Sequence, residues 1–257
     1  MMMLIIAVAA FGASLLTLFS GFGLGTLLMP VVAAFFPVVT AVAITAFVHL
    51  LNNLFKLGAL WRDIPWRITL RFGLPALLAT LPGAWLLTTL SETTPLASYS
   101  IAGVDATVTP VKLVVGVLLM LFALIEWHSL ATRLHIDSRY LPFGGVLSGF
   151  FGGLSGHQGA FRSAFLLHAG LDTRGYVACN AAIATLVDLT RLAVYGLNLP
   201  MLLAEVDLSL LVVATAAAFA GVLAGRAGIH KVTIGLVQKL VAVMLLLLGV
   251  LLAAGIL

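Results

Sequence analysis

The sequence predicts an all-α polytopic membrane protein built from two inverted-topology repeats. Each repeat is a glycine-broken re-entrant helical hairpin followed by three transmembrane helices, about eight helical segments in total. Three observations predict this. Hydrophobic residues make up 62% of the chain and charged residues only 9%. Two long apolar regions are cut near the middle by glycine, and Lys and Arg become one-sided when those regions are read as hairpins.

So few polar residues cannot cover a water-soluble globule. Apolar stretches recur from end to end without a linker or low-complexity tail, so residues 1–257 read as a single membrane domain, with one repeat over 1–130 and a second over 141–257. The first apolar run starts at Met1 without a basic stretch before it, and so lacks the mark of a cleavable signal peptide. Cys179 is the sole cysteine, which excludes internal disulfides and cysteine-rich metal sites, and no metal or other cofactor is expected. The net charge of +4 comes from basic residues scattered through short loops, which argues against nucleic acid as a partner.

A helix needs about 20 mostly apolar residues to cross the bilayer core. Six segments qualify, approximately 38–60, 69–90, 110–127, 175–197, 206–226 and 234–257. Residues 4–36 and 141–170 are too long for one span and are interrupted at Ser20-Gly21-Phe22-Gly23-Leu24-Gly25 and between Ser148 and Gly156. The flanking pieces, roughly 10–15 residues each, reach only part way across a core about 30 Å thick. With each region as a single span, Arg62, Arg67, Arg71, Arg133 and Arg139 lie on one side, against Arg174, Arg226, Lys231 and Lys112 on the other. With both as hairpins, only Lys112 is left outside, the bias expected of cytoplasmic loops. Two full crossings per region would give the same parity, and only the shortness of the pieces argues against them.

The two halves also resemble each other. Phe19-Ser20-Gly21-Phe22 matches Leu147-Ser148-Gly149-Phe150, and a shift of 135 sets Thr45 on Asn180, Asn53 on Asp188 and Lys56 on Arg191. An odd number of crossings per half inverts the second half, as in secondary transporters whose sites lie at the midplane where broken helices meet. A half-helix starting there aims free backbone N–H groups at an anion. Gly21, Gly23, Gly25 and Gly156 would admit a ligand close to the backbone, with Ser20, Thr26, Ser148 and Ser155 as hydroxyl donors or caps. The same small residues also serve tight helix packing.

Arg162, in an unusually polar stretch with Ser155, Gly156, His157 and Gln158, is the leading substrate-binding candidate. A charge at membrane depth costs about 3 kcal/mol or more, and its planar fork suits oxyanions. His157 and Gln158 would start the following half-helix and donate to the same anion. Asn53, Asn180, Asp188 and Arg191 are further candidates, although Asp188 and Arg191, three residues apart, can also neutralise one another. His49, Asn52, Asn53 and Lys56 make a similar polar stripe, although Lys56 is close enough to the inner surface to snorkel.

The paired glycine-interrupted openings, Ser20 to Gly25 with Pro30 downstream and Ser148 to Gly156, resemble those of the TauE/SafE sulfite exporter family, also called the toluene sulfonate uptake permease group. Chain size and the two-half organisation resemble that family too, over nearly the whole length. The resemblance implies a multi-pass protein of the cell inner (plasma) membrane and not an enzyme. It would be a secondary transporter of a small anion, such as sulfite, a sulfonate or a related oxidised sulfur or organic anion. The run Gly156-His157-Gln158-Gly159 with Arg162 departs from the plainer glycine-rich second opening usual there. A coupling proton, through His157 or Asp188, and a homodimer are compatible with this layout.

Two other readings were weighed. An anion channel would use the same residues. Gly153-Leu154-Ser155-Gly156 and the His49 to Asn53 spacing match motifs of rhomboid intramembrane serine proteases. That reading needs a base from a later transmembrane helix, whereas His157, His168 and His230 lie in the same hairpin or a charged loop.

Overall fold

The computed structural model describes residues 1–17, 23–101, 103–128, 136–196, 206–226 and 234–257. Among these, ten α-helices follow in order: α1 (Met2–Thr17), α2 (Leu24–Ala33), α3 (Val38–Leu60), α4 (Trp66–Ser91), α5 (Pro110–Trp127), α6 (Leu141–Ser155), α7 (Gly159–Leu166), α8 (Thr173–Tyr195), α9 (Leu208–Arg226) and α10 (Ile234–Ala253). Five helical stretches, Val38–Asp63, Trp66–Ser91, Pro110–Trp127, Thr173–Tyr195 and Leu208–Gly225, are long and apolar enough to cross a membrane. The described parts Met2–Thr17, Leu24–Ala33 and Gln238–Ala253 are shorter apolar helices. The architecture is that of an all-α membrane protein.

Local chemistry sets the helix ends. Thr109 accepts a hydrogen bond from the Lys112 N–H, with Pro110 in the first turn of α5, and Asp172 accepts from the Gly175 N–H to start α8. Gly156, at φ 79°, closes α6 in the left-handed conformation that favours glycine.

The second interruption is narrower than the glycine pattern suggests. α6 runs unbroken through Ser148, Gly149, Gly152 and Gly153, and the break before α7 is confined to Gly156–Gln158. The reason is the neighbouring helix. At Gly145, Gly149 and Gly153 a Cβ would collide with the backbone of α4 at Phe72, Ala76 and Thr80. Glycines four apart let two helices meet backbone to backbone, a main source of association in lipid.

Three other helix pairs pack closely. α1 packs on α9, where Gly221 faces the Phe11 carbonyl, and α5 packs on α10, where Gly116 faces the Gly249 carbonyl. α3 packs on α8. α4 also touches α8, and α3 touches α9.

Contacts define the two ends of the bundle. At one, Arg174 pairs with Asp63 at 3.0 Å and Arg71 Nη2 donates to the Arg139 carbonyl at 3.5 Å, so the link from α3 to α4 lies beside the starts of α6 and α8. At the other, β1 (Ala97–Ile101) pairs antiparallel with β2 (Val104–Val108), Ala97 opposite Val108. The Thr107 N–H donates to the Gly255 carbonyl at 2.8 Å and the Tyr99 hydroxyl to the Ala254 carbonyl at 2.5 Å, tying this hairpin to the end of α10.

The polarity is inverted relative to a soluble globule. On α4, Leu70, Leu74, Leu78, Leu81 and Trp85 form an exposed stripe, whereas His49, Asn52, Asn53, Lys56, Arg162, Asn180, Asp188 and Arg191 are buried.

Candidate functional site

The buried polar residues come from α3, α7 and α8, and the start of α2 meets the break between α6 and α7 beside them. A Cβ on Gly25 would lie 3.6 Å from Thr45 Cγ2 and 3.8 Å from the Gly156 carbonyl oxygen.

Asp188 organises one half of this cluster. Its Oδ2 accepts from His49 Nδ1 at 2.7 Å. Its Oδ1 accepts from Arg191 Nε at 3.0 Å and lies 2.7 Å from Nη2. The carboxylate therefore holds the His49 proton on Nδ1 and neutralises Arg191, whose Nη1 points to the Gly152 carbonyl at 3.5 Å. The other ring nitrogen of His49 faces the start of α2, where a Cβ on Gly23 would lie 3.1 Å from Nε2. Gly23, at φ 81°, is the N-cap of α2, and no side chain caps the helix there.

Arg162 organises the other half. Its Nε donates to Asn180 Oδ1 at 2.6 Å and its Nη1 to Gln158 Oε1 at 3.1 Å. Both partners are neutral. Asn180 is itself oriented, since its Nδ2 donates to the Tyr176 carbonyl at 2.8 Å. Nη2 lies on the Gly23 side, 3.6 Å from where a Cβ on that residue would stand.

A narrow cavity of about 20 Å³, partly open to solvent, lies between these groups. Arg162, Lys56, Asn53, Asn180, Tyr176 and Gly23 line it, with Thr17 at the end of α1. Lys56 and Arg162 are 6% and 2% exposed, and among the described residues no carboxylate pairs with either. Two unpaired cations in a buried cavity with amide and hydroxyl walls can hold an anion by charge-assisted hydrogen bonds. Lys56 does not snorkel. It sits one turn before the end of α3, is buried and lines this cavity.

The other expected residues are placed as follows. Asn53 lines the cavity while its Nδ2 donates to the His49 carbonyl at 2.9 Å. Gln158 orients Arg162. Ser148 Oγ donates to the Gln158 carbonyl at 3.1 Å and Ser155 Oγ to the Phe151 carbonyl at 3.1 Å. His157 turns away, with Nδ1 on the Ser155 carbonyl at 2.8 Å and its ring stacked on Phe122 at 5.7 Å. It does not line this cavity, and among the described residues no histidine accepts from the Ser155 hydroxyl. Thr26 is buried in the first turn of α2. Ser20 and Gly21 lie outside the described residues, as do His230 and Lys231.

Sequence reasoning missed Lys56, Tyr176 and Thr17 as cavity walls, and His49 as the partner of Asp188. A helical reading contains part of the signal. Lys56 follows Asn53 by three residues and Tyr176 precedes Asn180 by four, so each shares a face with a residue already singled out.

The family model for Sulfite exporter TauE/SafE matches residues 6–252. Comparison with curated proteins returned no match. The match takes in both glycine-interrupted regions and every residue of the cavity, and by it the chain belongs to the TauE/SafE sulfite exporter family of membrane transporters.

Proposed function

We propose that this protein is a secondary transporter of a small anion, sulfite, a sulfonate or a related oxidised sulfur or organic anion, in the cell inner membrane. It works by alternating access around the cavity between Lys56 and Arg162. The observation that carries the reading is this pair of buried cations on one small cavity, with no carboxylate paired to either among the described residues, since a buried charge is kept only where something neutralises it.

The halves read as inverted repeats, 1–130 and 141–257. α3 and α8 differ by 135 at both ends, and the starts of α2 and α7 differ by the same 135. The packing supports the exchange as well. α1 on α9 mirrors α6 on α4, while α3 and α8, and α5 and α10, each pair with their own counterpart. The starts of α6 and α8 at one end of the bundle favour a re-entrant α6–α7 hairpin. Rocking of one half against the other would then open the shared cavity to each side in turn.

In this scheme Arg162 binds the anion, oriented by Gln158 and Asn180. The start of α2 at Gly23 and Gly25 adds backbone dipole, and Asn53 completes the wall. His49, fixed by Asp188 with Nε2 toward the same space, is the residue suited to carry a coupling proton.

The test is flux into proteoliposomes of purified protein. Labelled sulfite should enter saturably and exchange against unlabelled anion inside. Leak identical to empty vesicles for the whole anion panel would refute transport, and flux that never saturates would favour a channel.

A further inference from the structure

The number of charges in the membrane interior says more about the occupant than its sign. Of the nine Asp and Glu residues in the sequence, only Glu126 and Asp188 fall within the described α-helices. Glu126, near the end of α5, does not line the cavity. Asp188 is engaged by Arg191 at 2.7 Å and by His49 at 2.7 Å. Among the described residues the buried Lys and Arg side chains are Lys56, Arg162 and Arg191, and Asp188 balances the last of them. Lys56 and Arg162 remain, on one cavity.

The neutral groups on its wall are largely occupied. Thr17 Oγ1 donates to the Ala13 carbonyl, Asn53 Nδ2 to the His49 carbonyl, Asn180 Nδ2 to the Tyr176 carbonyl and the Tyr176 hydroxyl to Ser163 Oγ. Recognition therefore falls to the ammonium and the guanidinium. A monoanion would leave one of two desolvated cations uncompensated, which is costly in low dielectric.

Building on the anion site proposed above, we infer that the cavity selects a small dianion. Sulfite in its fully deprotonated form, thiosulfate, or a sulfonate bearing a second acidic group fits this charge count. A simple alkyl sulfonate does not. Lys56 is then the residue that sets the charge of the cargo, and Arg162 the one that binds any oxyanion.

Titration calorimetry on the full chain in nanodiscs at neutral pH tests this with thiosulfate and sulfate against methanesulfonate and nitrate. The dianions should bind about tenfold or more tighter, a gap of about 1.4 kcal/mol. Lys56→Met should abolish the gap by weakening dianions alone, and Lys56→Arg should restore it. Equal wild-type affinities, or a gap that survives in Lys56→Met, would overturn the charge count and leave the anion site standing. No binding by any of the four anions would overturn the site and the inference together. Should Lys56→Met fail to fold, the wild-type ratio decides.

Discussion

Replacing Arg162 by Ala is expected to lower anion flux by about 100-fold or more while leaving the protein inserted and folded. Losing one side of a buried, hydrogen-bonded charge contact costs about 2–5 kcal/mol, and here the loss falls on the bound anion. The fold suffers less. The groups left behind are the neutral Asn180 Oδ1 and Gln158 Oε1, now 2.6 Å and 3.1 Å from the guanidinium, and each orphaned acceptor costs about 1–3 kcal/mol unless water enters the cavity. Arg162→Lys should fall between, since a point charge remains but the planar fork is lost. Flux in proteoliposomes, with gel filtration to show a folded species, checks the result. Full activity in Arg162→Ala would remove the residue from the site.

Asp188→Asn is expected to have the largest effect on stability. Its carboxylate is 0% exposed and balances Arg191, which is 1% exposed. The amide would leave a buried guanidinium without a counter-charge, and breaking such a pair from one side costs about 3–5 kcal/mol. The amide keeps one acceptor oxygen where the carboxylate served both His49 and Arg191, and the charge that favours a protonated His49 is gone, so transport driven by a pH gradient should weaken along with stability. The double variant Asp188→Asn with Arg191→Gln should recover much of the loss, because both charges are then gone. Thermal unfolding in detergent measures all three proteins. A single variant as stable as wild type would mean that Arg191 finds its compensation elsewhere.

The helical framework was legible in the sequence because a bilayer imposes length and apolarity together. The segments expected at 38–60 and 110–127 coincide with α3 and α5, and the two overlong regions each hold two short helices. Polar residues are rare enough in membrane helices for Asn53, Lys56, Asp188 and Arg191 to stand out in the sequence.

What escaped was set by tertiary contact. The run from Ser148 to Gly153 looked like a break, yet those glycines stay helical because α4 lies against them. The β1–β2 hairpin, Ala97 to Val108, falls between the segments expected at 69–90 and 110–127. Its alternation is short, and its anchoring on Gly255 and Ala254 comes from the far end of the chain. Within the site, Arg162 was legible as a charge at membrane depth. The pairing of His49 with Asp188 spans 139 positions and has no local signature. Lys56 was ambiguous by position, close to a helix end where a lysine commonly reaches the surface, and only the placement of α1 and α8 around it makes it a wall.

The most direct test of an anion held between Lys56 and Arg162 is a crystal structure of the protein soaked in selenite, measured at the selenium absorption edge. Selenite has the shape and charge of an oxidised sulfur anion and scatters anomalously. The expected result is one anomalous peak in the cavity lined by Arg162, Lys56, Asn53 and Asn180, lost in crystals of Arg162→Ala. A cavity without anomalous density at saturating selenite, or a peak only at the protein surface, would contradict it.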